Sequence, residues 1–316
     1  MKFPRIIFAL CLICFCAVGF GFSQDKSKEK DKKSKQNLVE VKANVMVLDA
    51  ANLFVDDIKA EDLKVFEDGV EQKINYFAKK SPVLNLGMVI DNSGSMRKVL
   101  DEVIFEGKVI ATNLNQNDEA FVVRFVDSDK IEILQEWTSD KTELESAFEQ
   151  MFVEGGQSAV IDAIYLSAEK ILERQKKDKT KKYALVIISD GEERDSFYKY
   201  KEMLALFNGS DIQVFMLSYA FQATRKQKDA SKFGDKIVFE TGGLVFNLTK
   251  NRTKDEVITT LKALITELRS DYVISYTSTN QKRDGLPRKL RVEVADDAKG
   301  NKRQGIIREG FVVPKN

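Results

Sequence analysis

An aspartate and two serines, each separated from the next by one residue, stand at the end of an apolar run. Val83 to Ile90 reads VLNLGMVI, and Asp91-Asn92-Ser93-Gly94-Ser95 follows. One carboxylate and two hydroxyls at this spacing offer hard oxygen donors to a small divalent cation. They offer little to a soft metal, which takes thiolate or imidazole. Two further segments join oxygen-bearing residues to a chain reversal. Gly155-Gly156-Gln157-Ser158-Ala159-Val160-Ile161-Asp162 is a glycine loop opening an amphipathic stretch, and Ile187-Ile188-Ser189-Asp190-Gly191 is an apolar strand ending in a carboxylate and a turn. Singly, each admits a plainer reading. Strand-end aspartates start turns, and Ser158 is placed to cap the helix behind it. Asp162 either orders its loop or sits in a first helical turn, where negative charge is favoured. Glu192, Glu193 and Asp195 read as a solvated helix start.

Composition narrows the chemistry further. The 316 residues include no histidine, which excludes Ser-His-Asp or Cys-His nucleophilic sites and His-ligated zinc or iron. The commonest general acid–base group is absent with it. A formal charge of +1 gives no reason to expect a nucleic-acid partner. The 43% hydrophobic content is enough for a sizeable core.

Residues 1–23 read as a secretory signal: Lys2 and Arg5 precede an apolar run, Ile6 to Phe22, short for a membrane span, with Gly21 and Ser23 at the expected cleavage positions. Retention of this segment as an anchor is the alternative. All three cysteines, Cys11, Cys14 and Cys16, fall within it, so the mature chain is expected to have neither disulfide nor thiol chemistry. Cleavage after Ser23 removes Lys2 and Arg5 from the 50 basic residues and leaves 48 against 49 acidic ones, a net charge of −1. The expected localisation is secreted, periplasmic or in the cell envelope, with no stable membrane span after cleavage. Residues 24–37 are polar and Lys-rich and are expected to be a disordered spacer.

The elements that must position the oxygen donors come next. Over 38–80 the pattern is β: Val39, Val41, Ala43, Val45 and Val47 alternate on one face, and Leu63–Phe66 runs through Glu67-Asp68-Gly69, a hairpin signal, toward a partner at Ile74–Phe77. Over 81–270 apolar strands alternate with amphipathic helices. The strands are Val83–Ile90, Phe121–Val126, Ala184–Ser189, Ile212–Tyr219 and Leu244–Leu248. Helical faces are carried by Leu100 to Leu114, Ile161 to Leu172 and Val257 to Leu268. This predicts a mainly parallel, doubly wound α/β sheet covered on both sides. In such a sheet, ligands bind at the carboxyl ends of the strands. Over 271–316 β texture returns, with strands expected at Tyr272–Thr277, Leu290–Val294 and Ile306–Val313. Each terminal block is too small to stand alone, so the two are expected to pair into one small β-sandwich. The alternative is that Tyr272–Thr277 ends the α/β sheet. Gly242-Gly243 is expected to turn a helix into a strand, and Trp137 to serve packing.

The three oxygen-bearing segments, in this order and context, resemble the von Willebrand factor A domain with its metal-ion-dependent adhesion site. The DxSxS motif is Asp91, Ser93 and Ser95; the family's loop threonine falls on Ser158, and its second aspartate on Asp190. The EDG at 67–69, the TGG at 241–243 and ELRSDYVISY at 267–276 are similar to bacterial secreted VWFA-related proteins. The resemblance implies a Rossmann-like fold and a metal site of Asp91, Ser93, Ser95, Ser158 and Asp190. The cofactor it implies is Mg²⁺, or Mn²⁺ or Ca²⁺. It also implies a non-enzymatic module whose under-charged shell is completed by a carboxylate from a protein partner, in adhesion or complex assembly. Serine in place of threonine at 158 keeps the hydroxyl and loses the methyl that restrains its rotamer. A structural scaffold with a vestigial or purely stabilising site is the main alternative. A phospho-aspartate enzyme is the other, but it would want a second carboxylate where Ser93 stands.

Overall fold

The computed structural model describes residues 38–80, 82–178, 180–208, 210–219, 234–269 and 271–315. The expected signal and spacer, and with them all three cysteines, lie outside the described residues. Val39–Asn316 forms one compact unit. Its strands are β1 (Glu40–Leu48), β2 (Leu63–Glu67), β3 (Val70–Gln72), β4 (Ile74–Lys80), β5 (Leu84–Asp91), β6 (Glu119–Phe125), β7 (Ile131–Thr138), β8 (Lys182–Ser189), β9 (Gln213–Ser218), β10 (Val245–Asn247), β11 (Asp271–Thr277), β12 (Pro287–Val294), β13 (Gln304–Ile307) and β14 (Gly310–Val312). The helices used below are α1 (Leu100–Thr112), α2 (Lys141–Glu149), α3 (Val160–Lys177), α4 (Tyr200–Phe207) and α5 (Lys254–Arg269); residues 234–241 are also helical.

The α/β body is a six-stranded sheet in the order β10-β9-β8-β5-β6-β7, parallel except for β7. Every residue of β5, β8 and β9 is buried, as the unbroken apolar runs require of strands covered on two faces. One core is built from Met88 and Ile90 with Val103 and Ile110 of α1, Phe148 of α2 and Leu261 and Leu268 of α5. The other packs Val89, Leu185 and Ile187 against Ile164 and Ile171 of α3 and Met203 of α4. The sheet is therefore doubly wound. Chain order reverses between β5, which continues to β6, and β8, which begins the other half. A crevice opens at such a reversal, at the carboxyl ends of the two strands.

Two four-stranded sheets, β13-β1-β11-β4 and β14-β12-β2-β3, form the flanking sandwich. Val41, Val45 and Val47 of β1 meet Val65 of β2 and Val292 of β12 between the sheets. Strand β11 pairs antiparallel with β1 and β4, so Tyr272–Thr277 belongs to the sandwich and does not end the α/β sheet. Asp68 and Gly69, at φ +49° and +83°, turn β2 into β3. The expected partner Ile74–Phe77 lies in the other sheet, because the chain crosses over at Lys73 between β3 and β4. Ile306–Val313, expected as one strand, is two strands in opposite sheets, broken at Arg308-Glu309, where the Glu309 amide donates to the Glu240 carbonyl. Gly242, at φ +74°, follows the helical residues 234–241, and a Cβ on Gly243 would stand 1.9 Å from the Val214 carbonyl oxygen, so the glycine pair turns a helix into β10 as expected. Among the described residues, no helix is long and apolar enough to cross a membrane.

Candidate metal centre

The apolar drive that buries β5 carries Asp91 to the carboxyl end of the sheet and leaves its carboxylate fully buried. Both of its oxygens are held. The Ser93 amide donates to Oδ1 at 2.9 Å, and the Ser189 hydroxyl donates to Oδ2 at 2.6 Å. Ser189, the last residue of β8, accepts in turn from the Gly191 amide at 2.9 Å. Ser93 then caps a short 3-10 turn, Gly94–Lys98. That turn brings the Ser95 hydroxyl to 3.0 Å from the Ser93 hydroxyl. The motif's spacing therefore places both hydroxyls side by side above the Asp91 carboxylate.

Asp190 follows β8 and is fully buried across the crevice from Asp91. Its Oδ1 accepts from the Glu192 amide at 3.0 Å, while Oδ2 is buried and has no hydrogen-bond donor of good geometry. Burial pushes the Asp91 carboxyl up to about 7, with the Asp190 charge adding to the shift and the Ser189 and Ser93 donors opposing it. Burial also raises Asp190, against the Glu192 amide and the nearby Ser95 hydroxyl. Two buried carboxylates thus lie close enough for the Asp190 charge to raise Asp91, and the Arg194 charge offsets the shift at Asp190 only in part. Such a pair is costly unless a positive charge enters.

Ser158 reaches the same end of the sheet from the glycine loop. The Ala159 amide donates to the Val126 carbonyl beyond β6, and the Arg194 and Asp195 amides donate to the Ser158 carbonyl. The loop is thereby sewn to both neighbouring strand ends. Helix α3 starts at Val160 with Ala159 as its N-cap and no side-chain cap, so Ser158 does not cap it. Ser158 is 2% exposed.

Asp162 is drawn elsewhere. Its two oxygens accept from the Phe197 and Tyr198 amides, each at 2.8 Å. It orders the loop after β8. The expected helix start at Glu192–Asp195 is instead irregular chain running to α4, and Glu193 does the capping that Ser158 does not: its carboxylate accepts from the Ile161 amide of α3 at 2.8 Å. This partner, 32 residues away, leaves no local spacing signal. Trp137 packs edge-on against Phe121 with centroids 4.6 Å apart.

Among the described residues, no group of three or more Asp, Glu, Cys or His is placed to hold a metal ion. The donors at the crevice are instead a buried carboxylate pair and the Ser93 and Ser95 hydroxyls, with Ser158 buried on the adjoining loop. This set fits a hard dication that accepts neutral oxygens and retains water, and Asp190 Oδ2 is the unsatisfied atom that points to it.

Residues 86–193 match the family model of the von Willebrand factor type A domain, a span that includes all five of these residues. Over that span the chain is similar to such domains. Solved structures are similar to the chain at low identity. An aerotolerance-related membrane protein from Bacteroides fragilis is 18% identical with a TM-score of 0.44, covering 58% of this chain and 98% of that one. BatB from Bacteroides thetaiotaomicron is 14% identical at 0.43, covering 58% and 98%. The manganese-loaded TRAP protein of Plasmodium vivax is 12% identical at 0.41, covering 74% and 96%. No curated protein matches the chain.

Proposed function

We propose that this chain is a non-enzymatic, extracytoplasmic binding module that grips an acidic group of a protein partner through a divalent cation. Asp91, Ser93, Ser95, Ser158 and Asp190 would hold the ion, Mg²⁺ or in its place Mn²⁺ or Ca²⁺. The ion would supply an electrophilic position that a partner carboxylate can occupy. The chain's own residues do the rest. Ser189 and the Ser93 amide orient Asp91, the 3-10 turn presents Ser93 and Ser95 together, and the Glu192 amide orients Asp190.

The observation that carries this reading is the buried Oδ2 of Asp190, which lacks a hydrogen-bond donor of good geometry and lies near a second buried carboxylate, Asp91. Three neutral hydroxyls and two carboxylates leave a dication's shell incomplete, so a partner's carboxylate is the natural last ligand. The match over residues 86–193 supports the non-enzymatic assignment. The absence of histidine supports it too. The signal-like residues 1–23 support the extracytoplasmic one.

The test is calorimetric titration of Mg²⁺ and Mn²⁺ into the chelator-stripped chain, followed by titration of acetate with and without metal. Saturable metal binding, and acetate binding only when metal is present, are expected. A chain that takes up neither ion sinks the proposal.

A further inference from the structure

We infer that the partner segment is a short extended peptide in which one Asp or Glu is flanked by bulky apolar side chains, seated with its carboxylate over the crevice and its neighbours on Phe152 and Phe197. This rests on the cation-dependent reading above and specifies what that site recognises.

Among the described residues, the phenylalanines standing in solvent are Phe152, Phe197 and Phe239, with Phe152 52% and Phe197 77% exposed. A single exposed apolar side chain needs no explanation, but two on the loops that bear candidate ligands invite one. Phe152 and Phe197 lie on the two loops that carry Ser158 and Asp190. Phe152 is tied to the residue beside Asp91, and Phe197 to the first turn of α3 behind Ser158. The Asn92 side chain, next to Asp91, donates to the Phe152 carbonyl at 2.8 Å, and Asp162 accepts from the Phe197 amide at 2.8 Å.

Both rings are supported from beneath. The Phe197 ring stands edge-on to Tyr198, centroids 5.4 Å apart, and Tyr198 is stacked on Tyr165 of α3 at 3.7 Å. The Arg124 guanidinium lies 4.4 Å from the Phe152 ring centroid. A rigid aromatic ring exposed before binding loses little conformational entropy on contact, which is what makes aromatic anchors effective.

Charge points to the same occupant. Arg97 and Lys98 are exposed at the end of the turn that carries Ser93 and Ser95, so cationic side chains border the crevice beside its oxygen donors. An acidic residue approaching the face meets complementary charge at the rim and the ion at the centre. Phe239 lies away from this face, in a separate groove with Leu48 and Leu290, and serves as an internal control.

The experiment compares two labelled peptides, acetyl-Gly-Leu-Asp-Leu-Gly-amide and acetyl-Gly-Gly-Asp-Gly-Gly-amide, by fluorescence anisotropy in Mn²⁺ and in EDTA. The chains are the unsubstituted protein, Phe152→Ala, Phe197→Ala, the double variant and Phe239→Ala. In Mn²⁺ the leucine-flanked peptide is expected to bind about tenfold more tightly than the glycine-flanked one, the scale of one good anchor. The double variant should lose that preference and still bind the glycine-flanked peptide as before; Phe239→Ala should change neither value. Circular dichroism melts of the variants check that the fold is retained. Equal metal-dependent affinity for both peptides overturns this inference and leaves the cation-dependent reading standing. So does a preference that survives the double substitution. Binding of neither peptide in Mn²⁺ overturns both.

Discussion

Ser189 donates its hydroxyl proton to Asp91 Oδ2 at 2.6 Å, joining the last residue of β8 to the last residue of β5. The bond crosses the point where the sheet's chain order reverses. It holds the Asp91 carboxylate against the strand ends, and it opposes the upward shift that burial imposes. Ser189 is thus an orienting residue for the candidate centre, although it lies outside the set that would touch the ion. Ser189→Ala is expected to weaken Mg²⁺ or Mn²⁺ binding by about tenfold, the low end for loss of a group that orients a ligand. Titration calorimetry of the variant tests this; affinity equal to that of the unsubstituted chain would show that Asp91 needs no such support.

Asp91→Ala is expected to abolish most metal affinity while leaving the fold intact, because the substitution removes a buried charge along with a donor. The unsubstituted chain should melt higher in saturating Mg²⁺ than in EDTA. At a hundred times the dissociation constant the stabilisation is about 2.7 kcal/mol. The variant should melt at one temperature in both. A metal-dependent rise that persists in Asp91→Ala would remove Asp91 from the centre.

Ser158→Ala separates ligation from capping. Loss of a helix N-cap costs about 1 kcal/mol, but α3 is capped at Ala159, and by Glu193 through the Ile161 amide. The substitution is therefore expected to leave urea stability in EDTA unchanged within about 0.5 kcal/mol, and to weaken metal binding. A drop in EDTA stability without loss of metal affinity would reverse the assignment.

Asp162→Ala should have the opposite signature. Its carboxylate holds the Phe197 and Tyr198 amides, and charge-assisted bonds to backbone amides contribute about 1.5–3 kcal/mol each. A loss of about 3–6 kcal/mol is expected in denaturant, with faster amide exchange at Phe197 and Tyr198. Protection unchanged at those two amides would refute the role given to Asp162.

In the sandwich, Arg288 and Glu67 form an ion pair at 2.8 Å, each 2% exposed, and the Ser278 hydroxyl also donates to Glu67. Arg288→Ala strands a buried carboxylate and should cost about 3–5 kcal/mol. Arg288→Ala with Glu67→Gln should recover part of that loss, measured by the shift in urea midpoint. Additive losses in the double variant would show that the two charges do not stabilise each other.

How far the chain could be read without its structure depended on how local each signal was. The parallel sheet was legible because β5, β8 and β9 have nearly continuous apolar interiors, and burial on two faces explains such runs. The DxSxS turn was legible because its three donors fall within five residues of a strand end. Strand β7 was not, because its side chains are half-buried at the sheet's edge and its alternation is weak. Nor was α2, although Asp140, which accepts from the Thr142 amide, stands as a local cap signal ahead of it. The break at Arg308-Glu309 was hidden because it is made by distant backbone, the Glu240 carbonyl and the Leu290 amide. Serine 189 escaped notice because its hydroxyl reads as an ordinary strand terminus until Asp91, 98 residues earlier, is placed beside it.

Strand β1 pairs with β11 and β13, placing Glu40 opposite Thr277 and Val45 opposite Ile307. The first described strand must therefore wait for partners more than two hundred residues further along the chain. Its alternating valines stay without their sheet partners through more than two hundred residues of elongation. The closing step in folding is a long loop closure, of the high-contact-order kind that is slow. Met46 and Leu48 of the same strand complete the core beneath the α/β sheet. That core also lacks a fixed Met46 and Leu48 until β11 and β13 are in place.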